Sequence, residues 1–164
     1  MAHGAHHRGD AQHITCGILT VSDTRSEADD TSGQRIRALL EEAGHRIGWY
    51  RIVRDEPAEI AALIGGLPDE VAVLIVNGGT GVARRDTTYE AITALLDKEI
   101  TGFGELFRML SWEQVGAAAM LSRATAGIAG ARAIFSLPGS TKAVELAITK
   151  LILPQLGHIV GLLR

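Results

Sequence analysis

Three short stretches of this 164-residue chain combine glycine or other small residues with hydroxyls or carboxylates: Ser22-Asp23-Thr24, Asn77-Gly78-Gly79-Thr80-Gly81 and Pro138-Gly139-Ser140. Glycine lets main-chain N–H groups approach an anion closely, and the N-terminus of a following helix adds positive potential. Together the three read as a rim that holds phosphate. Asp86 follows Gly81 just ahead of a helix start, which aims its carboxylate at the same rim, and Arg84 and Arg85 beside it could fork onto phosphate oxygens. Asp55, in Arg54-Asp55-Glu56-Pro57, occupies the matching place ahead of another helix. Mg²⁺ takes one or two carboxylates plus substrate phosphate oxygens, so Asp55 and Asp86 beside a phosphate loop suit a magnesium–nucleotide site, with Asp86 as the metal ligand. Plainer readings stand beside these. Gly78–Gly81 also fits a tight turn, Asp55 fits a helix cap before Pro57, which spacing alone favours, and both arginines fit a solvated surface.

Two familiar nucleotide motifs are excluded by spelling. Gly78-Gly79-Thr80-Gly81-Val82-Ala83 does not give the G-x-G-x-x-G of a dinucleotide fold, and Gly139-Ser140-Thr141-Lys142 puts the lysine after the hydroxyls, the reverse of a P-loop.

The elements that must carry these loops alternate. Residues 14–21 form a continuous apolar, β-rich run, as in a strand covered on both faces. Asp30 or Thr31 caps a helix whose Ile36, Leu39, Leu40 and Ala43 recur at helical spacing, and Gly44 ends it. A strand over 45–53 follows, then a helix opened by Pro57 and closed by Gly65-Gly66. Residues 71–77 form the most apolar strand and the expected sheet centre. Thr87 and Glu90 offer a capping box for a helix running through residues 91–100, and further helices are expected over 104–115 and 116–123. A last strand at 131–137 leads into a long amphipathic helix from Thr141. Strand–helix alternation implies an α/β domain, a mostly parallel sheet with helices on both faces. No repeat, low-complexity tract or linker divides residues 14–164.

With 46% hydrophobic and 21% charged residues, the chain has a globular composition. Its net charge is −3 and no window carries a cationic run, which argues against duplex nucleic acid as a partner. The single cysteine, Cys16, excludes an intrachain disulfide and a thiolate metal site, and it reads as a small buried hydrophobe. Residues 1–13 lack the apolar stretch of a signal peptide, and no segment is expected to reach membrane-spanning length, so a cytoplasmic protein is expected. His3, His6, His7 and His13 make that stretch a His-rich tail, read as a flexible arm, with metal binding as the alternative.

In series, Thr20–Arg25, Asp29–Gly33, Arg54–Pro57, Asn77–Ala91, Gly102–Arg108, Leu121–Gly127 and Leu137–Ser140 resemble the MoaB/Mog family of molybdenum cofactor biosynthesis proteins, and they run over nearly the whole chain from Ile14. The resemblance implies a three-layer α/β/α domain that binds molybdopterin and assembles as a trimer or a dimer of trimers. Mog-type members join molybdopterin to AMP from Mg-ATP. The family's two functional aspartates match Asp55 and Asp86. Its pterin- and phosphate-contacting loops match Gly78, Gly79, Thr80 and Gly81 and Pro138, Gly139 and Ser140, with Ser22, Asp23 and Ser122 near them. Where Mog-type sequences read Thr-Pro-Glu or Thr-Pro-Asp, this chain has Thr88-Tyr89-Glu90, and its 103–116 and 122–127 segments resemble the B branch. Two functions follow as expectations: adenylylation of molybdopterin, or non-catalytic carriage of it. A third, action on another nucleotide-like compound, would show as ATP turnover without pterin. The apolar 101–129 segment is either a subunit contact anchored by Phe103, Phe107, Met109 and Trp112 or a locally thick core.

Overall fold

The computed structural model describes residues 11–164. Its six strands lie in one sheet in the order β2-β1-β3-β6-β5-β4. They are β1 (Thr15–Val21), β2 (Arg46–Val53), β3 (Val73–Asn77), β4 (Lys98–Glu99), β5 (Thr125–Ala129) and β6 (Arg132–Leu137). β2, β1, β3 and β6 run parallel, while β5 is antiparallel to both β6 and β4. β3 is central, with Ile75 opposite Ile18 on one side and Phe135 on the other.

Both sheet faces are covered, which explains why the central strands are apolar without interruption. Cys16, Ile18, Ile75 and Phe135 meet α1 (Thr31–Glu42), α4 (Thr101–Val115) and the C-terminal helix on one face. Leu19, Leu74, Val76 and Ile134 meet α2 (Pro57–Gly65) and α3 (Thr88–Thr93) on the other. The molecule is a three-layer α/β/α sandwich.

The C-terminal helix runs through α5 (Thr141–Ala147), a π-turn (Ile148–Ile152) and α6 (Leu153–Leu162). Contrary to the expectation that no segment reaches spanning length, this helix of 22 residues is long and apolar enough to cross a membrane by length and composition. Its Val144, Ala147, Ile148, Ile152, Leu156 and Val160 are buried in the core, which accounts for that composition.

Several local expectations give way to tertiary bonds. The helix expected through residues 91–100 stops at Thr93, because Asp97 N–H donates to Ile128 O (2.7 Å) and Ile100 N–H to Ala126 O (2.7 Å), drawing this stretch into the sheet as β4. Its partner β5 had no strand assignment in the sequence; Gly130, at φ +59°, turns it back into β6. The capping box does not form. Thr87 Oγ1 donates instead to Asp55 Oδ1 (2.6 Å), and Glu90 pairs with Arg123. Residues 116–121 form a 3₁₀ turn. Phe103 and Phe107 belong to the core beside Phe135 and are not surface anchors, whereas Met109 and Trp112 are exposed.

Residues 1–10 of the expected His-rich tail, with His3, His6 and His7, lie outside the described residues. Ala11 is already part of the packed body: it is buried and its N–H donates to Gly157 O (3.0 Å). His13 Nδ1 lies 3.1 Å from Gly44 O.

Candidate functional site

Parallel strands send their carboxyl ends to one edge of a sheet, so Ser22, Asp55, Gly78 and Pro138 leave β1, β2, β3 and β6 on the same side. Short bonds lock the loops together. Ser22 N–H donates to Val53 O (2.8 Å), Gly78 N–H to Leu137 O (2.9 Å), and Thr88 N–H to Gly79 O (3.2 Å). Asp55 N–H donates to Asp23 Oδ1 (3.2 Å).

Gly78 (φ +102°) and Gly79 (φ +68°) occupy backbone conformations that L side chains rarely adopt. Each is also crowded. A methyl at Gly78 would strike the Val21 carbonyl, and one at Gly79 would strike Thr88 Oγ1 and Asp55 Oδ2. Gly81 leaves room for Asp86, whose Oδ2 would lie 2.7 Å from a Cβ there, and Gly139 packs onto Gly78, whose Cα would lie 3.2 Å from a Cβ at 139. Gly78 and Gly79 are therefore required by contact as well as by φ, and Gly81 and Gly139 by contact. Thr80 is buried, and its carbonyl accepts from Arg123 N–H (2.9 Å).

Asp55 is buried at 6% exposure, and it is not the cap of α2, since Glu56 holds that position. Its carboxylate accepts from Thr87 Oγ1 (2.6 Å) and Thr87 N–H (3.2 Å). Desolvation by burial raises its pKa, the charges of Asp86 and Asp23 add to that rise, and the Thr87 bonds oppose it. Asp86 is half-buried, with Oδ2 accepting from Ala83 N–H (3.0 Å).

The two arginines separate. Arg85 grips both oxygens of Asp23 (2.9 and 3.0 Å from Nη2) and Glu56 Oε1 (2.9 Å from Nη1). Hydrogen bonds from Arg85 hold the Asp23 carboxyl below its ordinary range, and those to Asp23 raise the Arg85 pKa. Arg84 is exposed and lines a pocket of about 320 Å³ with Val82, Ala83, Asp86, Thr87, Glu90 and Arg123. Ser122, Pro138 and Ser140 line a larger groove of about 990 Å³ that runs between α4 and α5. Ser140 also caps α5, accepting from Ala143 N–H (3.2 Å), and Ser22 Oγ accepts from Arg25 N–H (3.1 Å).

Among the described residues, no group of three or more His, Cys, Asp or Glu side chains is arranged to hold a metal ion. Asp55 and Asp86 thus offer two carboxylates, the number Mg²⁺ uses when substrate phosphates complete its shell. A buried carboxylate with a raised pKa beside a second carboxylate fits a site that gains from a cation. The adjacent Thr88 hydroxyl is fully buried without a hydrogen-bond partner.

Sequence reasoning missed two groups of residues here. Behind the rim, buried Asp30 accepts from Thr20 Oγ1 (2.6 Å), Gly33 N–H (3.1 Å) and the Tyr50 hydroxyl. Asn77 donates to Thr20 Oγ1 (2.9 Å) and accepts from Ser32 Oγ (2.7 Å), tying the end of β3 to β1 and α1. Asp30 was legible as a cap, but these partners are distant in sequence. The second group is Arg123 with Tyr89, which stack on each other although far apart in the chain.

Comparison with known proteins bears on the family and the fold. Residues 17–158 match the family model described as "Probable molybdopterin binding domain". The chain is 53% identical over 157 residues to molybdenum cofactor biosynthesis protein B of Bacillus cereus, covering 94% of this chain and 93% of that protein. A crystal structure of a molybdenum cofactor biosynthesis protein B superposes with TM-score 0.90 at 52% identity, over 94% of this chain and 98% of the other. The tungsten cofactor synthesizing protein MoaB of Pyrococcus furiosus superposes with TM-score 0.84 at 39% identity, over 94% and 99% of the two chains.

Proposed function

From the premise that this chain belongs to the molybdopterin-binding family of molybdenum cofactor biosynthesis proteins, B branch, we propose that it binds molybdopterin at the strand-end rim and transfers AMP to it from Mg-ATP. In this reaction an oxygen of the molybdopterin terminal phosphate forms a bond to the α-phosphorus of ATP. The bond from that phosphorus to the α–β bridging oxygen breaks, and pyrophosphate leaves with the electron pair. Such transfers ask a protein for positioning and charge neutralisation rather than for a covalent nucleophile.

The observation that carries this reading is the convergence of Asp55, Asp86 and Gly78–Gly81 on one edge, with Asp55 buried beside other carboxylates. Main-chain N–H groups of Gly78–Gly81 hold an anionic group of the substrate. Asp86, with Asp55, holds Mg²⁺, which when bound supplies charge neutralisation at the nucleotide oxygens. Arg84 faces the departing pyrophosphate, since Arg85 is committed to Asp23 and Glu56. Ser122, Pro138 and Ser140 border the groove that leads away from the rim.

The test is to incubate the protein with molybdopterin, ATP and Mg²⁺, separate the products, and measure molybdopterin binding in parallel. Adenylylated molybdopterin supports the proposal. Binding without product means a carrier, and ATP turnover without pterin means a different substrate. A cytoplasmic trimer or dimer of trimers completes the proposal. The exposed Leu106, Met109, Trp112, Val115 and Met120 form its contact, and a monomer by light scattering at micromolar concentration would remove that part.

A further inference from the structure

Arg123 bonds both ends of the loop that carries Asp86. Its Nε donates to Gly81 O (2.9 Å) and its Nη2 to Asp86 O (2.8 Å). Nη1 pairs with Glu90 at the start of α3, and the main-chain N–H holds Thr80 O (2.9 Å). The guanidinium carbon lies over the Tyr89 ring, 5.2 Å from its centroid. We infer that Arg123, stacked on Tyr89, is a positioning residue that fixes the 81–86 loop and thereby the direction of the Asp86 carboxylate; the inference rests on the role proposed for Asp86 above.

Each nitrogen of the Arg123 guanidinium donates to this loop or to Glu90, so holding the loop is the engagement the structure gives the side chain. A guanidinium presents donors in one rigid plane, which lets it bridge the two ends of the loop, Gly81 and Asp86, at fixed separation. Tyr89 occupies the place where Mog-type sequences carry proline, and the ring it brings there faces Arg123. Gly81 and Asp86 are both half-buried, so water can reach their carbonyls once the guanidinium is gone. Loss of Arg123 therefore falls on loop order rather than on the fold as a whole.

The loop carries its own reporter, because Arg84-Arg85 is a trypsin site on exposed chain. The experiment compares wild type with Arg123→Met, Arg123→Lys, Tyr89→Ala and Tyr89→Phe. It measures native-state tryptic cleavage after Arg84 and Arg85 by mass spectrometry, thermal unfolding, and kcat and KM for molybdopterin adenylylation. A bond from a charged donor is worth about a factor of ten or more. Arg123→Met should therefore cleave about ten-fold faster or more at 84–85 and lose kcat by a similar factor, with KM for molybdopterin within about two-fold. Tyr89→Ala should show a smaller effect of the same sign, Tyr89→Phe should match wild type, and Arg123→Lys should recover part of both losses. Unchanged cleavage and kcat in Arg123→Met overturn the inference, as does a loss in which lysine rescues nothing and cleavage rises equally across the whole chain. If wild type forms no adenylylated product, the proposed activity falls, and the cleavage rates alone decide whether Arg123 and Tyr89 hold the loop.

Discussion

Gly79→Ala, compared with Gly130→Ala, tests whether the rim is built by close contact. Both residues sit at positive φ, +68° and +59°, so alanine meets a similar backbone strain at each, about 1–2 kcal/mol. The gain from restricting the unfolded chain is also common to both. Their surroundings differ. A Cβ at 130 has nothing within 4 Å, whereas a Cβ at 79 strikes Thr88 Oγ1 and Asp55 Oδ2. Both obstacles are buried, and Asp55 is further held by Thr87. Forcing a methyl into such packing costs about 1–3 kcal/mol beyond the strain. Gly79→Ala should thus lose about 2–5 kcal/mol and Gly130→Ala about 1–2 kcal/mol. In urea, with an m-value of about 2 kcal/mol/M, the difference separates the midpoints by about 0.5–1.5 M at unchanged m. Molybdopterin binding should weaken in Gly79→Ala and persist in Gly130→Ala, because only the former displaces the rim. Coincident midpoints would refute the contact argument, leaving φ alone as the reason for glycine.

The remaining predictions concern charge. Asp86→Asn keeps an oxygen for Ala83 N–H, so it should fold and bind pterin while losing AMP transfer by about two orders of magnitude or more, as expected for a lost metal ligand; wild-type turnover would end the assigned role. Asp55 binds its proton more tightly folded than unfolded, through desolvation first and the neighbouring carboxylates second. Its contribution to stability is therefore full below the ordinary carboxylate range and is lost as pH rises through the raised folded value. Asp55→Asn is spared that loss, so its stability relative to wild type should improve as pH rises above the ordinary carboxylate range; a flat or opposite trend in urea midpoints would contradict it. Burial pushes the Cys16 thiol up to about 12, so a thiol reagent at about pH 8 should label it only at the rate of unfolding. Rapid labelling of the native protein would show that β1 is not covered.

Much of the architecture was legible because its signals are local. The apolar runs of β1 and β3, the Asp30 cap, Pro57 at the start of α2 and Gly44 after α1 each act within a turn or a strand of their own position. Parallel alternation then carried a further consequence, since it placed the loops after β1, β2, β3 and β6 on one edge. The serial motifs identified the family.

Only the tertiary structure decided what residues far apart in the chain do to one another. Thr87 could cap α3 or serve Asp55, and the buried carboxylate took it. Residues 97–100 could continue a helix or pair with β5, and the sheet took them. Arg84 and Arg85 are neighbours of one type, yet only Arg85 is bound to carboxylates from two other loops. Arg123 lies in the Leu121–Gly127 motif, and its role comes only from Gly81, Asp86 and Glu90, which the fold brings around it. A sequence fixes which side chains are available to bond and at what spacing. Burial, which removes water as the competing partner, decides which of those bonds are made.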